Sequence, residues 1–364
     1  MVMQSKKVSL YTQGGERAAN CYYRFLQYFN KLNISLRHNK QLPDYLYLRC
    51  MPISEQPILF KLFIALFIII RVTYALCVDV LFPPKYLVIS KTLVKKFMPY
   101  YFNILLLLIK KRGTIIIWDF DDNILSCNDI SAYNFDFLSN LSSKIVIASE
   151  ELQRNIASKY SNKVLNIPTT DGDMFHLFSN ELIEQKSRTL GDKVKLVWCA
   201  TSSSLSFLNA IIPYIDELPL ILNREVELTV VCNKPLNVTP KHIKIRNVLW
   251  EREIAIKEML SAHIGLMPLQ DNEFNRGKGG FKLIQYLSIG LPVVGSAVGI
   301  NRSIIKENVG SCIYELESNE WRDGILRLVS DRNKWMEYCL NSYNRWISDY
   351  SYNSNLEEWN NILK

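Results

Sequence analysis

Met267-Pro268-Leu269-Gln270-Asp271-Asn272-Glu273-Phe274-Asn275-Arg276-Gly277-Lys278-Gly279-Gly280-Phe281-Lys282-Leu283-Ile284-Gln285-Tyr286, followed by Leu291-Pro292-Val293-Val294-Gly295, is the stretch that decides the fold. An apolar strand ends, a loop rich in glycine and cations follows, a helix opens near Gly280, and a second apolar strand succeeds it. Strand, loop, helix and strand in that order form the repeating unit of a parallel sheet with helices on its faces. The pattern extends over the second half of the chain. Short apolar or β-branched strands are expected at 194–200, 226–232, 243–249, 264–269, 292–296 and 312–316, with helices at 205–216, 253–262, 280–289, 302–307 and 320–329 between them. This is a doubly wound α/β domain.

The first half has the same grammar. A strand at 7–11 leads through a Gly14-Gly15 turn to a helix at 22–32, and further strands are expected at 86–90, 114–118 and 144–148. With 364 residues, two domains are expected. We place a first Rossmann-like domain at 1–185, a polar linker at 182–192, a second Rossmann-like domain at 191–345 and a terminal helix at 346–364 that packs back on the first domain. Two such domains imply a cleft, and ligands of such sheets bind beyond the carboxyl ends of strands.

Eight cysteines without a C-x-x-C pair and four histidines argue against a zinc site and for a reducing compartment. The amino terminus, Met1-Val2-Met3-Gln4-Ser5-Lys6-Lys7, lacks the features of a secretory signal, so a cytoplasmic chain is expected. The net charge of +8 is uneven: residues 1–180 hold 21 Lys and Arg against 13 Asp and Glu, and the remainder holds 22 of each. The basic half also carries apolar runs at 58–70 and 104–109, bordered by Arg71 and by Lys110-Lys111-Arg112. Both runs are too short to span a bilayer. A basic half with greasy helices suits peripheral contact with an anionic membrane surface. Nucleic acid is not expected, because no binding motif with interleaved aromatics accompanies the charge.

The glycine-rich loop carries the chemistry. A helix amino terminus offers unpaired N–H groups and partial positive charge, which suit a diphosphate. If Lys278 is close to the first turn, Lys278, Lys282 and Gln285 address one side of the helix, and glycines at 277, 279 and 280 let backbone approach a ligand. Glu273 and Arg276 border the same loop. The hydroxyls of Thr201-Ser202-Ser203-Ser204 either reach a phosphate or cap the next helix. In the first half, Trp118-Asp119-Phe120-Asp121-Asp122-Asn123 places three carboxylates at a strand end, where they bind or polarise acceptor hydroxyls, hold a divalent metal, or cap a helix. Gly14, Gly15 and Arg24 complete that side.

Gly277-Lys278, Phe281-Lys282-Leu283-Ile284-Gln285-Tyr286-Leu287, Gly290-Leu291-Pro292-Val293-Val294 and Val298-Gly299-Ile300-Asn301 resemble the donor-site segment of bacterial glycosyltransferase family 4 enzymes of the GT-B fold. Trp198, Thr201-Ser202-Ser203-Ser204, Ile264-Gly265-Leu266-Met267-Pro268-Leu269, Trp118-Asp119-Phe120-Asp121-Asp122 and Ile167-Pro168-Thr169-Thr170 fit in the same order. The resemblance implies a retaining transferase that moves a hexose from a nucleotide-diphosphate sugar to a lipid-linked or oligosaccharide acceptor in surface-polysaccharide assembly (O-antigen, capsule or lipopolysaccharide), at the inner face of the cytoplasmic membrane. Under it, Lys278, Lys282 and Asp121 are the catalytic candidates. Thr201, Ser202, Ser203, Glu273, Arg276, Gly277, Gly279, Gly280, Phe281 and Gln285 bind the donor, and Gly14, Gly15, Arg24, Asp119 and Asp122 lie on the acceptor side. No metal or other cofactor is expected. The sequence departs at one point: many members carry two glutamates seven residues apart, where this chain has Gly277 and Gln285. That departure keeps two alternatives open, a nucleotide-sugar epimerase on the same fold and a non-catalytic membrane-docked binding protein.

Overall fold

A computed structural model of the protein describes residues 7–50 and 56–364. The reading made on residues 1–6 lies outside that set. The chain forms two compact units: residues 1–168 with 353–364, and residues 169–352. The fold is α/β, with one six-stranded parallel sheet in each unit.

In the first unit the strands are β1 (Lys7–Thr12), β2 (Ser35–Lys40), β3 (Tyr86–Ser90), β4 (Ile115–Phe120), β5 (Lys144–Ile147) and β6 (Val164–Asn166), in the spatial order β2-β1-β3-β4-β5-β6. β3 reads Tyr86-Leu87-Val88-Ile89-Ser90 and is buried at every position, as a strand covered on both faces must be. β2 and β6 escaped the sequence reading because they are short edge strands with polar residues and no alternating pattern to betray them.

The second unit holds β7 (Lys193–Cys199), β8 (Glu225–Cys232), β9 (Lys244–Leu249), β10 (Ile264–Met267), β11 (Val293–Ser296) and β12 (Gly310–Ile313), in the order β12-β11-β10-β7-β8-β9. The chain winds outward from β7 to β9, then returns to the other side of β7. The loops after β7 and β10 therefore flank the point where the strand order reverses.

Three expectations need correction. The polar segment at 182–192 is not a linker: Ser179 accepts a bond from Leu182 N at 3.1 Å and starts the helix Asn180–Thr189. That helix is amphipathic, burying Ile183, Lys186 and Ser187, and polarity alone concealed it. The unit boundary falls after Pro168 instead, and residues 353–364 belong to the first unit. There Trp359 meets Phe25 and Phe29 edge to face, and Asn355 Nδ2 donates to Pro168 O at 2.6 Å.

The apolar run at 58–70 is also longer than it reads. It continues as one helix, Ile58–Leu81, of 24 residues with mean hydropathy 2.3, which is long and apolar enough to cross a bilayer. Arg71 does not end it, because its guanidinium reaches Lys40 O at 3.3 Å and covers the Phe67 ring. The second run is likewise longer, forming the helix Tyr100–Lys111.

Two imidazoles, buried His263 and half-buried His38, serve structure. Burial pushes His263 down to about 3, with Lys195 N donating to its Nδ1 at 2.9 Å and Lys186 O 3.0 Å from its Nε2. His38 is pushed by burial to about 4. Unfolding restores both toward 6.5, so the unfolded chain binds more protons below that pH and stability falls with acid. We expect the melting temperature to drop progressively between pH 6.5 and about pH 4. NMR of the ring protons should find His38 and His263 still neutral at about pH 5.5, and titration of these two rings near 6.5 would contradict the placement.

Candidate functional site

The Phe281–Ser288 helix opens on Gly280, which holds φ +67°. A Cβ there would also stand 2.3 Å from Ile304 Cδ1, but it is the left-handed backbone that favours glycine. The first intrahelical bond runs from Ile284 N to Gly280 O at 3.2 Å. The amides of Lys282 and Leu283 accordingly have no acceptor inside the helix. Gly299 presses on the same loop: a Cβ on it would lie 2.2 Å from Arg276 O.

Around this amino terminus the structure gathers much of the expected donor set. Lys278 Nζ lies 5.4 Å from the Phe274 ring centre and 5.9 Å from that of Phe207, and Lys282 Nζ lies 5.2 Å from that of Phe281. Gly277, Gly279 and Gly280 are buried. Asn272 caps the short Glu273–Arg276 helix by accepting from Asn275 N at 2.8 Å. Arg276 is exposed and pairs with Asp271 at 2.5 Å, and Glu273 is exposed on the first turn.

Gln285 is placed differently from its neighbours. It is buried, its Oε1 accepts from Lys282 Nζ at 2.8 Å, and its Nε2 donates to Asp171 Oδ2 at 2.6 Å. Asp171 is fully buried, and its other oxygen accepts from Asp173 N at 2.8 Å. The amide at 285 thus joins a cation to a carboxylate. A glutamate at 285 would face Asp171 with like charge and could donate nothing to it, so the position must be an amide while Asp171 is ionised. An acid absent at 285 stands one side chain further back, at 171. Sequence reading missed it because residues 171 and 285 lie far apart along the chain.

The loop after β7 lies on the other side of the strand-order reversal. Thr201 Oγ1 and Ser203 Oγ are 2.9 Å apart, and Ser202 N donates to Asn233 Oδ1 at 2.8 Å while Asn233 Nδ2 donates back to Ser202 Oγ at 3.2 Å. Asn233 and Lys234 enter a hollow at the carboxyl ends of β8 and β9 that is closed by Pro235, Asn247 and Val248. These residues were absent from the sequence reading, which had no motif to mark them.

In the first unit the carboxylates are matched by cations. Arg24 is buried and forks onto Asp119, with Nε 3.3 Å from Oδ1, while its NH1 donates to Ile167 O. Lys91 Nζ is 2.8 Å from Asp121 Oδ1 and also pairs with Asp122. Lys91 adopts φ +58°, fixed by Lys91 N to Asp119 O at 2.7 Å and by Trp118 Nε1 to Lys91 O at 2.8 Å. A lysine held in the left-handed region by its surroundings is strain concentrated at a strand end. Burial pushes the Asp119 carboxyl up, against the pull of Arg24. Burial also pushes Asp121 up, but the Lys91 ammonium and the Arg24 guanidinium together outweigh it and hold that carboxyl below its usual range. Mutual repulsion of the carboxylates, the expected cause of a raised pKa, is therefore secondary. No helix is capped at Asp122 or Asn123; Asn123 Oδ1 instead accepts from Ser126 N in a turn at 3.1 Å. Among the described residues no group of three or more His, Cys, Asp or Glu side chains could hold a metal ion.

Gly14 and Gly15 are close-approach positions. A Cβ on Gly14 would meet the Tyr47 ring at 2.8 Å, and one on Gly15 would meet Asp44 Oδ1 at 2.2 Å, where Gly15 N already donates at 3.0 Å.

Residues 201–331, about a third of the chain, match the family model described as Glycosyl transferases group 1. No curated protein matches the sequence. Among solved structures, the Anabaena protein HepE in complex with UDP and glucose is similar at 13% identity and TM-score 0.69, over 98% of this chain and 99% of that one. A glycosyltransferase from Rickettsia africae is similar at 10% identity and TM-score 0.67, over 99% and 98%. Sucrose-phosphate synthase from Thermosynechococcus elongatus is similar at 9% and 0.67, over 98% and 97%. The fold is GT-B, and the matched segment supports a glycosyltransferase.

Gln285→Glu should destabilise the protein by about 1–3 kcal/mol, the cost of an unmatched buried carboxylate, and Asp171→Asn in the same chain should recover most of it. Urea unfolding of the two single variants and the double variant checks this. A neutral Gln285→Glu would break the proposed coupling.

Proposed function

We propose that the protein is a retaining glycosyltransferase of family 4 that transfers a hexose from a nucleotide-diphosphate sugar to a lipid-linked saccharide during surface-polysaccharide assembly. It works as a peripheral protein at the cytoplasmic face of an anionic membrane. The observation that carries the reading is the amino terminus of the Phe281–Ser288 helix, opened by Gly280 and bordered by Lys278 and Lys282 beside the strand-order reversal. UDP is the first base to test, because HepE is described in complex with UDP and with UDP-glucose.

The donor diphosphate sits where amides and cations converge. As the bond from the anomeric carbon to the phosphate oxygen breaks, its electron pair leaves with the nucleoside diphosphate and negative charge grows there. Fixed cations stabilise that charge more in the transition state than in the ground state. Gln285 keeps Lys282 directed without neutralising it, since an amide accepts the ammonium's hydrogen bond and contributes no charge. The acceptor hydroxyl attacks the anomeric carbon from the face that the diphosphate leaves. Its proton passes to the departing phosphate oxygen, so configuration is retained without an enzymatic nucleophile. On the acceptor side Asp121, kept ionised by Lys91, accepts a hydrogen bond from a sugar hydroxyl and orients it.

A thermal-shift screen of UDP-, GDP-, ADP- and dTDP-sugars should find one base that raises the melting temperature. Lys282→Ala should weaken that donor by about tenfold or more, the worth of a charge-assisted contact, and lower turnover. Asp121→Asn should lower kcat while leaving donor affinity unchanged. Isomerised sugar in place of transfer would give the site to an epimerase, binding without any turnover would make it a non-catalytic binding protein, and unchanged kinetics of Lys282→Ala would remove the donor assignment.

A further inference from the structure

The Ile58–Leu81 helix is fastened to the first unit along one face, through Ile64, Ile68, Val72, Leu76 and Asp79. Asp79 is fully buried and accepts from Ser9 Oγ and Tyr11 OH at 2.6 Å each, while Arg37 pairs with it at 2.5 Å. Arg71, eight residues earlier, donates to the carbonyl of Lys40, the last residue of β2. The helix therefore runs against the strand direction and passes the carboxyl edge of the sheet at about residue 71. Residues 58–70, about 20 Å of helix at ~1.5 Å per residue, continue past that contact with Ile64 and Ile68 still packed on the core and the opposite face exposed.

The exposed face of this segment is apolar. Ile58, Leu59, Leu62, Phe63, Leu66 and Ile70 are each at least 58% exposed, while Ile64 and Ile68 pack inward against the core. A patch of this kind on a soluble domain marks a surface with an apolar partner. Around its base the same edge carries Tyr45, Lys95, Lys96, Phe97, Tyr100 and Tyr133, all exposed, on segments that follow the carboxyl ends of β2, β3 and β4. Lys95 is paired with Asp129 at 2.9 Å. Rings with polar tips and lysine side chains bordering an apolar projection match the composition of the zone between acyl chains and headgroups. The excess of cations in this half of the sequence suits anionic lipid.

We infer that residues 58–70 insert into a single leaflet of an anionic phospholipid bilayer, with the carboxyl edge of the first sheet turned toward the headgroups. Crossing is ruled out by the second half of the same helix, which is held to the sheet through buried Asp79. With its inner face held on the core, the exposed face of 58–70 enters the boundary between headgroups and acyl chains of one leaflet and goes no deeper. Asp119, Asp121 and Asp122 end or follow β4 on that same edge, so the acceptor side opens toward the membrane surface. Only this last statement rests on the transferase reading.

The full chain should float with vesicles of phosphatidylethanolamine and phosphatidylglycerol, and more weakly with phosphatidylcholine alone. Leu62→Glu with Phe63→Glu should lower the partition coefficient by about a hundredfold through loss of two buried apolar side chains. Both residues are exposed, so the melting temperature and nucleotide-sugar binding should not change. Hydrogen exchange with vesicles present should protect 58–70 and 95–101 while leaving 225–249 as in buffer. A chain that stays in the aqueous layer, or a double variant that floats like the parent, overturns the inference whatever nucleotide binding shows. So does a dimer in vesicle-free buffer that the double variant splits without any flotation, which would assign the face to a second copy. Flotation with no nucleotide-sugar binding would leave the insertion standing and remove the transferase reading.

Discussion

A helix that must begin at Gly280 leaves its first backbone amides without intrahelical acceptors, and the rest of the second unit is arranged around that requirement. The left-handed backbone at 280, the contact with Ile304 and the pressure of Gly299 on Arg276 fix where the helix starts to within one residue. The strand order then sets that start beside the loop after β7, at the place where a parallel sheet leaves an open crevice. Lys278 and Lys282 add charge to a position already favourable to an anion. Both contributions suit the diphosphate of the proposed donor.

The chain of Lys282, Gln285 and Asp171 shows how the charge of such a site can be kept available. A carboxylate at 285 would close an ion pair with Lys282 and cancel the cation that the proposed transfer draws on. The amide orients the lysine equally well, and the acid that fixes the amide is buried behind it. The first unit follows the opposite design. Lys91 and Arg24 are spent on neutralising three carboxylates, which leaves Asp121 ionised and partly exposed, suited to hydroxyl groups rather than to phosphate.

Most of the second unit was legible in the sequence because its strands are apolar, short and separated by helices of ordinary length. The helix at 320–329 and the strand at 264–267 fall where periodicity puts them. The loop from Gly277 to Gly280 was legible because glycines and lysines crowd there for a local reason. What escaped was non-local or patternless. Asp171 meets Gln285 across more than a hundred residues, Lys91 meets Asp121 across two neighbouring strands, and the polar helix at 180–189 carries too few apolar residues to declare its face. The long helix was cut short at Arg71 because a sequence does not show that a guanidinium can reach a carbonyl and let the apolar run continue.

The central claim is that the diphosphate of an activated sugar rests on the amino terminus of the Phe281–Ser288 helix. A crystal structure of the protein with a bound UDP-sugar tests it most directly. The account predicts phosphate oxygens at about 2.7–3.2 Å from Lys282 Nζ and from a backbone amide in the first turn, with Gln285 still donating to Asp171. A diphosphate bound elsewhere, with Lys278 and Lys282 turned to solvent, would contradict it.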